Sequence, residues 1–256
     1  MTLHQLLDPS AINIGDLVVI AGAEKILPPR ANAVVGTPWF WDACAGSDKY
    51  QWLRNLLDTS PPLMAVGVGS CFPLGHDERM ILDNPDQSQA VWSLWSRFTR
   101  ISVRDEMAKR LLDGLGIPCT LLPCPSVFAV DLETLPPPIP GSTIYITTRP
   151  WGEDAGHSQF LNHKAPDVTL FNYGYGKRTQ GDVWPFLAHM ATYETIISER
   201  VHAVTPFAGL RRTAVIPVDS RHLTSINAGV ALYPSIAKPD ATLRPRWREQ
   251  YQQFFA

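Results

Sequence analysis

An arginine and a histidine two residues apart follow an apolar, β-branched run in the C-terminal half of this chain. The run covers residues 195–198, and Arg200 and His202 come directly after it. An arginine guanidinium binds a carboxylate or phosphate through paired hydrogen bonds, and histidine titrates near neutral pH. These two side chains therefore suit the binding of a small anion and the transfer of a proton.

The surrounding pattern predicts the elements that position this pair. A second apolar run, residues 211–218, follows the first, so the segment reads as strand, short helix and strand in one crossover unit. Ser198 is the expected N-cap, and the helix N-terminus would add its positive dipole end to the arginine charge. The alternative is that His202 is a hydrogen-bonded structural residue.

Two further arginines end predicted strands. Arg104 closes residues 100–103, and Asp105 is the expected N-cap of the helix that follows, residues 105–115. Arg149 ends the strand predicted over residues 142–148 in the same way. Because the carboxyl ends of strands border the ligand crevice of open α/β sheets, we expect these two arginines, together with Arg200 and Ser198, to bind one small phosphorylated or carboxylated anion.

Strand-like runs alternate with helical patterns along most of the chain, which predicts an α/β fold with mostly parallel sheets. Residues 135–141 contain four prolines in five positions, so we place a domain boundary there, between residues 1–138 and 139–256. A ligand cleft is expected between the halves. The amphipathic tail, residues 243–256, is expected to pack back across them, with an anionic membrane surface as the alternative.

Composition excludes several classes of protein. The 256 residues are 45% hydrophobic and 18% charged with a net charge of −2, so no basic field indicates nucleic-acid binding. His157 and His163 lack a third ligand at a recognisable spacing, so no metal is expected. The four cysteines lack CxxC spacing, and no run of eighteen apolar residues occurs. These features predict a cytoplasmic protein with reduced thiols.

Two glycine-containing segments have a composition that would allow close approach to a ligand. Gly15 would let the backbone approach a ligand and Asp16 could bind a hydroxyl, although Gly-Asp is also a common turn. Residues 17–27 fit either a helix or a strand. Gly67 and Gly69 follow a buried strand but do not form the GxGxxG fingerprint, so no nicotinamide cofactor is indicated.

Five short segments occur in the order seen in the polysaccharide pyruvyl transferase family, which the chain therefore resembles over residues 13–203. They are Asn13-Ile14-Gly15-Asp16, Gly67-Val68-Gly69, Ile101-Ser102-Val103-Arg104-Asp105-Glu106, Pro123-Cys124-Pro125-Ser126-Val127-Phe128 and Ile197-Ser198-Glu199-Arg200-Val201-His202-Ala203. The resemblance implies two Rossmann-like halves arranged as in GT-B glycosyltransferases.

The same resemblance implies transfer of pyruvate from phosphoenolpyruvate to sugar hydroxyls, forming a ketal, with no cofactor besides this donor. It assigns donor binding and proton transfer to Arg200 and His202, and donor binding to Arg104. The acceptor would be a sugar or lipid-linked oligosaccharide of an exopolysaccharide or cell-surface glycan, at or near the inner face of the membrane. Arg221 and His222 stand where family members often carry a lysine, and we assign both to the acceptor or cleft side of the site. Only residues 1–12 precede the Asn-x-Gly-Asp segment.

Two alternative functions fit the same residues. In a GT-B-like glycosyltransferase, the arginines would hold the diphosphate of a sugar nucleotide. In a non-catalytic relative, the site would bind a glycan without turnover. Phosphate release from phosphoenolpyruvate, consumption of a sugar nucleotide, and saturable glycan binding without turnover distinguish the three hypotheses.

Overall fold

The described part of the chain forms two parallel β-sheets of five strands each, with helices packed against them. The computed structural model describes residues 2–5, 14–35, 48–60, 62–131, 134–147, 168–172 and 183–256. Every strand pairing within these residues is parallel. The predicted α/β class with parallel sheets is confirmed, and the sheets are consistent with Rossmann-like halves.

The N-terminal half forms the first sheet, whose strands lie in chain order, β1-β2-β3-β4-β5. Its elements are β1 (Thr2–Gln5), α1 (Ile14–Glu24), β2 (Asn32–Val35), α2 (Asp48–Thr59), β3 (Met64–Val68), α3 (Arg79–Leu82), α4 (Pro85–Trp95), β4 (Arg100–Val103), α5 (Glu106–Gly114) and β5 (Thr120–Leu121). Strand β1 and helix α2 were not predicted, and β1 supplies a short strand ahead of residues 13–16.

The C-terminal half forms the second sheet, in the order β10-β9-β8-β6-β7. Its elements are β6 (Ile139–Thr147), β7 (Val168–Asn172), α6 (Val183–Ala191), β8 (Tyr193–Ser198), α7 (Val201–Val204), β9 (Arg212–Val215), α8 (His222–Asn227), β10 (Ala231–Leu232) and α9 (Leu243–Phe255). The strand order reverses between β6 and β8, so the carboxyl ends of these two strands border a topological switch point.

Strand β6 begins inside the proline-rich segment, which the sequence assigned to a linker. Ile139 pairs with Tyr193, and the register shifts between Ile139 and Thr143. Pro140 lies within this irregular stretch, where a residue without an N–H is tolerated because the hydrogen-bond ladder is already interrupted. The proline-rich segment thus includes the first residues of a paired strand, and only its earlier prolines precede the sheet.

Residues 14–24 form helix α1 rather than a strand, and Gly15 and Asp16 lie inside its first turn rather than in a separate turn. Val18, Val19 and Ile20 are fully buried, and each contributes about 1.5–3 kcal/mol through burial. Their apolar cluster continues into the second sheet and α9. A shared apolar core therefore joins the two halves.

Helix α9 packs back on the N-terminal half, as predicted. Tyr251 is buried, and its hydroxyl donates to the carbonyl oxygen of Pro123 at 2.6 Å. Its ring meets Phe128 edge to face, and Trp247 is buried in the shared core. Within the described ranges, no helix is long and apolar enough to cross a membrane.

Candidate functional site

Arg104 and His202, which lie in different halves, are in direct contact. Arg104 Nη1 lies 3.0 Å from His202 Nε2. A guanidinium only donates hydrogen bonds, so Nε2 must be the acceptor and the imidazole proton must be on Nδ1. The sequence predicts that the two halves contribute these residues to one ligand cleft, and the structure joins them by a hydrogen bond.

The guanidinium of Arg104 is held in a buried position at the end of β4. The side chain is only 1% exposed, and its Nη1 also lies 3.8 Å from Cys124 Sγ. A Cβ on Gly69 would lie 2.2 Å from Arg104 Nε, so the guanidinium occupies the space that a side chain there would fill. Nε itself has no hydrogen-bond partner within the described residues. Gly69 was predicted to let a ligand approach its backbone, but the side chain of Arg104 lies there.

Gly67, the other glycine assigned to the cleft, also has a structural role. Its φ is +75°, which favours glycine, and a Cβ there would lie 2.7 Å from Pro125 Cδ. Its backbone N–H donates to Ser102 Oγ at 2.9 Å. The space beside Gly67 is therefore filled by protein atoms.

Asp105 is the N-cap of α5, as predicted, and also joins the halves. Its buried carboxylate accepts from Ala108 N at 2.8 Å, Ser70 N at 2.8 Å and Ser70 Oγ at 2.9 Å. The Ser70 hydroxyl lies 2.9 Å from Ser220 Oγ, which accepts from Phe72 N at 2.7 Å. We call Ser70, Asp105 and Ser220 the interlock. Their hydrogen bonds link the N-terminal half, at the residue after Arg104, to the C-terminal half, at the residue before Arg221.

Sequence reasoning missed Ser70 and Ser220, and also Asn227. The side-chain amide of Asn227 donates to the carbonyl oxygens of Arg104 at 3.2 Å and Leu122 at 3.0 Å. Asn227 ends α8, and its two acceptors follow β4 and β5. No local pattern marks such a residue, because its partners are more than a hundred positions away.

His202 lies in α7, a helix of only four residues, and is partly buried. Burial lowers the pKa of the imidazole well below 6.5, and the charges of Arg104, Arg221 and Arg200 lower it further. The ring is therefore neutral at pH 7. This agrees with the role of Nε2 as an acceptor from Arg104.

Arg200 is itself the N-cap residue of α7, which corrects the assignment of Ser198 to that position. Ser198 is the last residue of β8 and fully buried. Its hydroxyl donates to Ile146 O at 2.9 Å and accepts from the backbone N–H of Arg200 at 2.8 Å. The hydroxyl therefore bonds to backbone groups at the edge of the sheet. Helix α7 has only four residues, which is too few aligned peptides for the predicted dipole contribution.

Arg221 and His222 lie at the start of α8, close enough for Arg221 to influence His202. The Arg221 guanidinium pairs with the carboxylate of Asp219, with Nε 2.8 Å from Oδ1. His222 Nδ1 lies 2.5 Å from the carbonyl oxygen of Asp219. The acceptor role predicted for Arg221 and His222 stays a prediction, and both residues also hold the turn before α8.

Asp16 is buried in the first turn of α1, the helix that packs against residues 125–128 and against α7. Asp16 and Gly15 therefore belong to the helix that lies beside His202, and their predicted role in the cleft is untested. Arg149, His157 and His163 lie outside the described residues. Among those that are described, no three His, Cys, Asp or Glu side chains cluster as metal ligands.

Comparison with known proteins assigns no function to the chain. No protein-family model and no curated protein matches the chain. A crystal structure of an uncharacterised protein from Klebsiella pneumoniae aligns with 84% of this chain and 83% of its own, at 11% sequence identity and a TM-score of 0.44. The function must therefore be inferred from the site itself.

Proposed function

We propose that the protein transfers pyruvate from phosphoenolpyruvate to two hydroxyls of a sugar, forming a ketal and releasing phosphate. The sugar belongs to a glycan precursor or a lipid-linked oligosaccharide. The observation that carries the proposal is the contact between Arg104 and His202, with Arg200 and Arg221 nearby. This arrangement combines cations for an anionic donor with a proton-transfer group.

The donor matches the charges of the site. Phosphoenolpyruvate carries a phosphate and a carboxylate, and each is matched in shape by a guanidinium that offers two parallel N–H groups. Arg104 is already fixed at the sheet edge, and its Nε has an unused N–H within the described residues. Arg200, which is partly exposed beside the switch point, supplies the second cation.

Donor binding also prepares His202 for catalysis. In the structure its pKa is lowered partly by arginine charge, so an anion that neutralises this charge raises the pKa. When the imidazole of His202 turns from the fixed guanidinium of Arg104 towards the anion, Nε2 loses its hydrogen bond and takes up a proton. Substrate binding thereby converts a neutral imidazole into the general acid.

The chemistry then follows in balanced steps. The His202 imidazolium gives its proton to the methylene carbon of the donor, which leaves a cationic carbon at C2. A sugar hydroxyl attacks C2 and returns a proton to the imidazole. The bond between C2 and the phosphate oxygen then breaks with its electron pair going to the phosphate. The second sugar hydroxyl adds to C2 and gives its proton to the departing phosphate, which leaves as inorganic hydrogen phosphate.

The test separates binding from turnover in two variants. Arg200→Ala should weaken phosphoenolpyruvate binding by on the order of a hundredfold, because it removes a charge-assisted pair. His202→Ala should leave donor affinity within a few fold but lower phosphate release by about a hundredfold or more. Calorimetry measures the first quantity, and phosphate release with a panel of sugar acceptors measures the second.

Arg79→Ala, at an exposed arginine of α3, is the matched control for charge and should change neither quantity. Circular dichroism checks that each variant folds. If phosphoenolpyruvate does not raise the melting temperature of the wild-type protein but a uridine diphosphate sugar does, the proposal is wrong and the glycosyltransferase alternative replaces it. Equal, mild effects of both site variants would assign the pair a structural role.

A further inference from the structure

A cavity of about 490 Å³ lies at the edge of the second sheet opposite to Arg200 and His202. We call it the proline cavity, since Pro136, Pro137, Pro138 and Pro245 line it together with Arg211 and Arg244. These residues precede β6 and β9 or begin α9, so they lie at the amino ends of the strands. Five residue steps along β8, at a rise of about 3.3 Å each, separate the two edges by about 17 Å.

The two arginines of the proline cavity bond only to neutral groups among the contacts described. Arg211 Nη2 donates to the carbonyl oxygens of Pro136 at 2.7 Å and Ala191 at 3.2 Å, and Arg244 Nη2 donates to that of Val130 at 2.8 Å. None of the described residues that line the cavity carries a carboxylate. Within the described part of the chain, two guanidinium charges therefore share one cavity without a counter-charge in its wall.

Burial acts on both guanidinium groups. It lowers the pKa of Arg244 to about 10 and also lowers the pKa of Arg211. The carboxylate that opposes this effect at Arg244 is Asp131, but it pairs with Lys25 Nζ at 2.8 Å. The charges are thus desolvated without being paired, an arrangement that costs free energy until an anion is bound.

Each arginine also has a buried nitrogen without a hydrogen-bond partner within the described residues. These atoms are Arg211 Nε and Arg244 Nη1, and the Arg244 residue is only 9% exposed. Buried donors are normally satisfied by protein, water or ligand. An oxyanion in the proline cavity would supply the missing acceptors.

The first turn of α9 adds to the positive potential. The helix has thirteen residues, no acidic residue in its first turn, and Arg244 at its second position. A cation at a helix N-terminus is unfavourable unless an anion is near. Asp240, which accepts from the Thr242 N–H and hydroxyl, is exposed and lies outside the cavity lining.

We propose that the proline cavity binds a small organic anion. Its carboxylate or phosphate oxygens lie against Arg211 and Arg244, and its flat apolar body lies against the proline rings. The prolines lack N–H groups and offer apolar faces, so they favour a ring or short hydrocarbon over a sugar. This site does not depend on the pyruvyl transfer proposed above.

A fluorescent pair of probes tests the charge requirement. 1-Anilinonaphthalene-8-sulfonate carries aromatic rings and an anionic group, and N-phenyl-1-naphthylamine carries the same rings without the charge. The sulfonate should bind the wild-type protein at one site and bind Arg244→Met about tenfold more weakly, because a hydrogen-bonded charge pair is lost. Arg246→Met, at an exposed position of the same helix, is the matched control and should change affinity less than twofold.

Competition on the wild-type protein keeps the test decisive if Arg244→Met does not fold. Phenyl phosphate or benzoate should displace the sulfonate, whereas the uncharged benzyl alcohol should not. The anion that displaces the sulfonate at the lower concentration identifies the preferred oxyanion. Arg200→Ala should bind the sulfonate as tightly as the wild type, which separates the proline cavity from the candidate site. Equal binding of the two naphthalene probes, unchanged affinity in a folded Arg244→Met, or displacement by neither anion would overturn the proposal.

Discussion

The two arginines that end β4 and β8 follow similar sequence patterns but are held in opposite ways. Arg104 is 1% exposed, lies against the backbone of Gly69, and is followed by an aspartate that caps a nine-residue helix. Arg200 is partly exposed and begins a helix of four residues. The difference is that the first arginine is held in a buried position by its surroundings, whereas the second is partly exposed at the start of a short helix.

The sheets show the same contrast. The strands of the first sheet lie in chain order. In the second sheet, the order of the parallel strands reverses between β6 and β8. The switch point therefore belongs to the C-terminal half, and Arg200 lies beside it. The N-terminal half contributes buried side chains to the candidate site, Arg104 and the interlock residues Ser70 and Asp105, whereas the switch point belongs to the C-terminal half.

The largest expected effect comes from removing the carboxylate of the interlock. Asp105→Ala should lower the free energy of unfolding by about 3 kcal/mol or more, because four buried donors on Ser70, Ala108 and Thr224 lose their acceptor at once. Asn84→Ala removes the exposed N-cap of α4 and should cost only about 1 kcal/mol. Urea unfolding measures both. Similar costs for the two caps would show that the interlock adds no stability beyond an ordinary helix cap.

The sequence could predict Asp105 as a cap but not the interlock, and the reason is distance along the chain. A cap bonds to a residue three positions later, so the local pattern contains both partners. Ser70 and Ser220 are far away in sequence, and a serine in a loop carries no signal for such a contact. The strands and their parallel pairing were predictable because alternation of apolar runs and helices is a repeated, local signal.

The candidate site was predictable to a similar degree. Arg104, Arg200 and His202 were singled out because strand ends and charge coincide, and the structure brings Arg104 and His202 into contact. Their roles in binding and proton transfer stay predictions. Ser198 was wrongly predicted as the N-cap of α7, because the sequence does not show where β8 ends. Gly69 was predicted to lie beside a ligand, because a glycine pattern does not reveal which atoms fill the space next to it. Both errors concern tertiary contacts that single-sequence patterns do not contain.

A smaller effect should follow when a side chain is added at Gly69, in the space that the Arg104 guanidinium occupies. Gly69→Ala places a Cβ 2.2 Å from Arg104 Nε, so the guanidinium must move. We expect a loss of about 1–3 kcal/mol in stability, as for overpacking elsewhere, and about tenfold weaker phosphoenolpyruvate binding. Calorimetry measures the affinity. Gly75→Ala, where nothing lies within 4 Å of the added Cβ but φ is +83°, controls for backbone strain and should leave affinity unchanged.

The smallest effect is expected at two serines that occupy corresponding places in the two halves. Ser102 and Ser198 are both fully buried near strand ends, and their hydroxyls bond to backbone groups. Replacing either by Ala should cost about 1 kcal/mol, with phosphoenolpyruvate affinity changed less than threefold. Affinity that falls more than tenfold in Ser198→Ala alone would show that its hydroxyl binds the donor, in contrast to its role in the structure.

The central claim is that an anion bound by the arginines turns the neutral His202 into a proton donor. NMR titration of the imidazole nitrogens, assigned with His202→Asn, measures this directly. In the ligand-free protein, burial and arginine charge should hold the pKa of His202 below 6.5, with the proton on Nδ1. Phosphoenolpyruvate should raise that pKa by roughly one unit or more.

Because the bound form then holds the extra proton, donor affinity should rise as pH falls through the raised pKa and level off below the lowered one. His202→Asn should remove this pH dependence. A His202 pKa that stays below 6.5 and does not move when saturating phosphoenolpyruvate binds, or a donor affinity with the opposite pH dependence, would contradict the account.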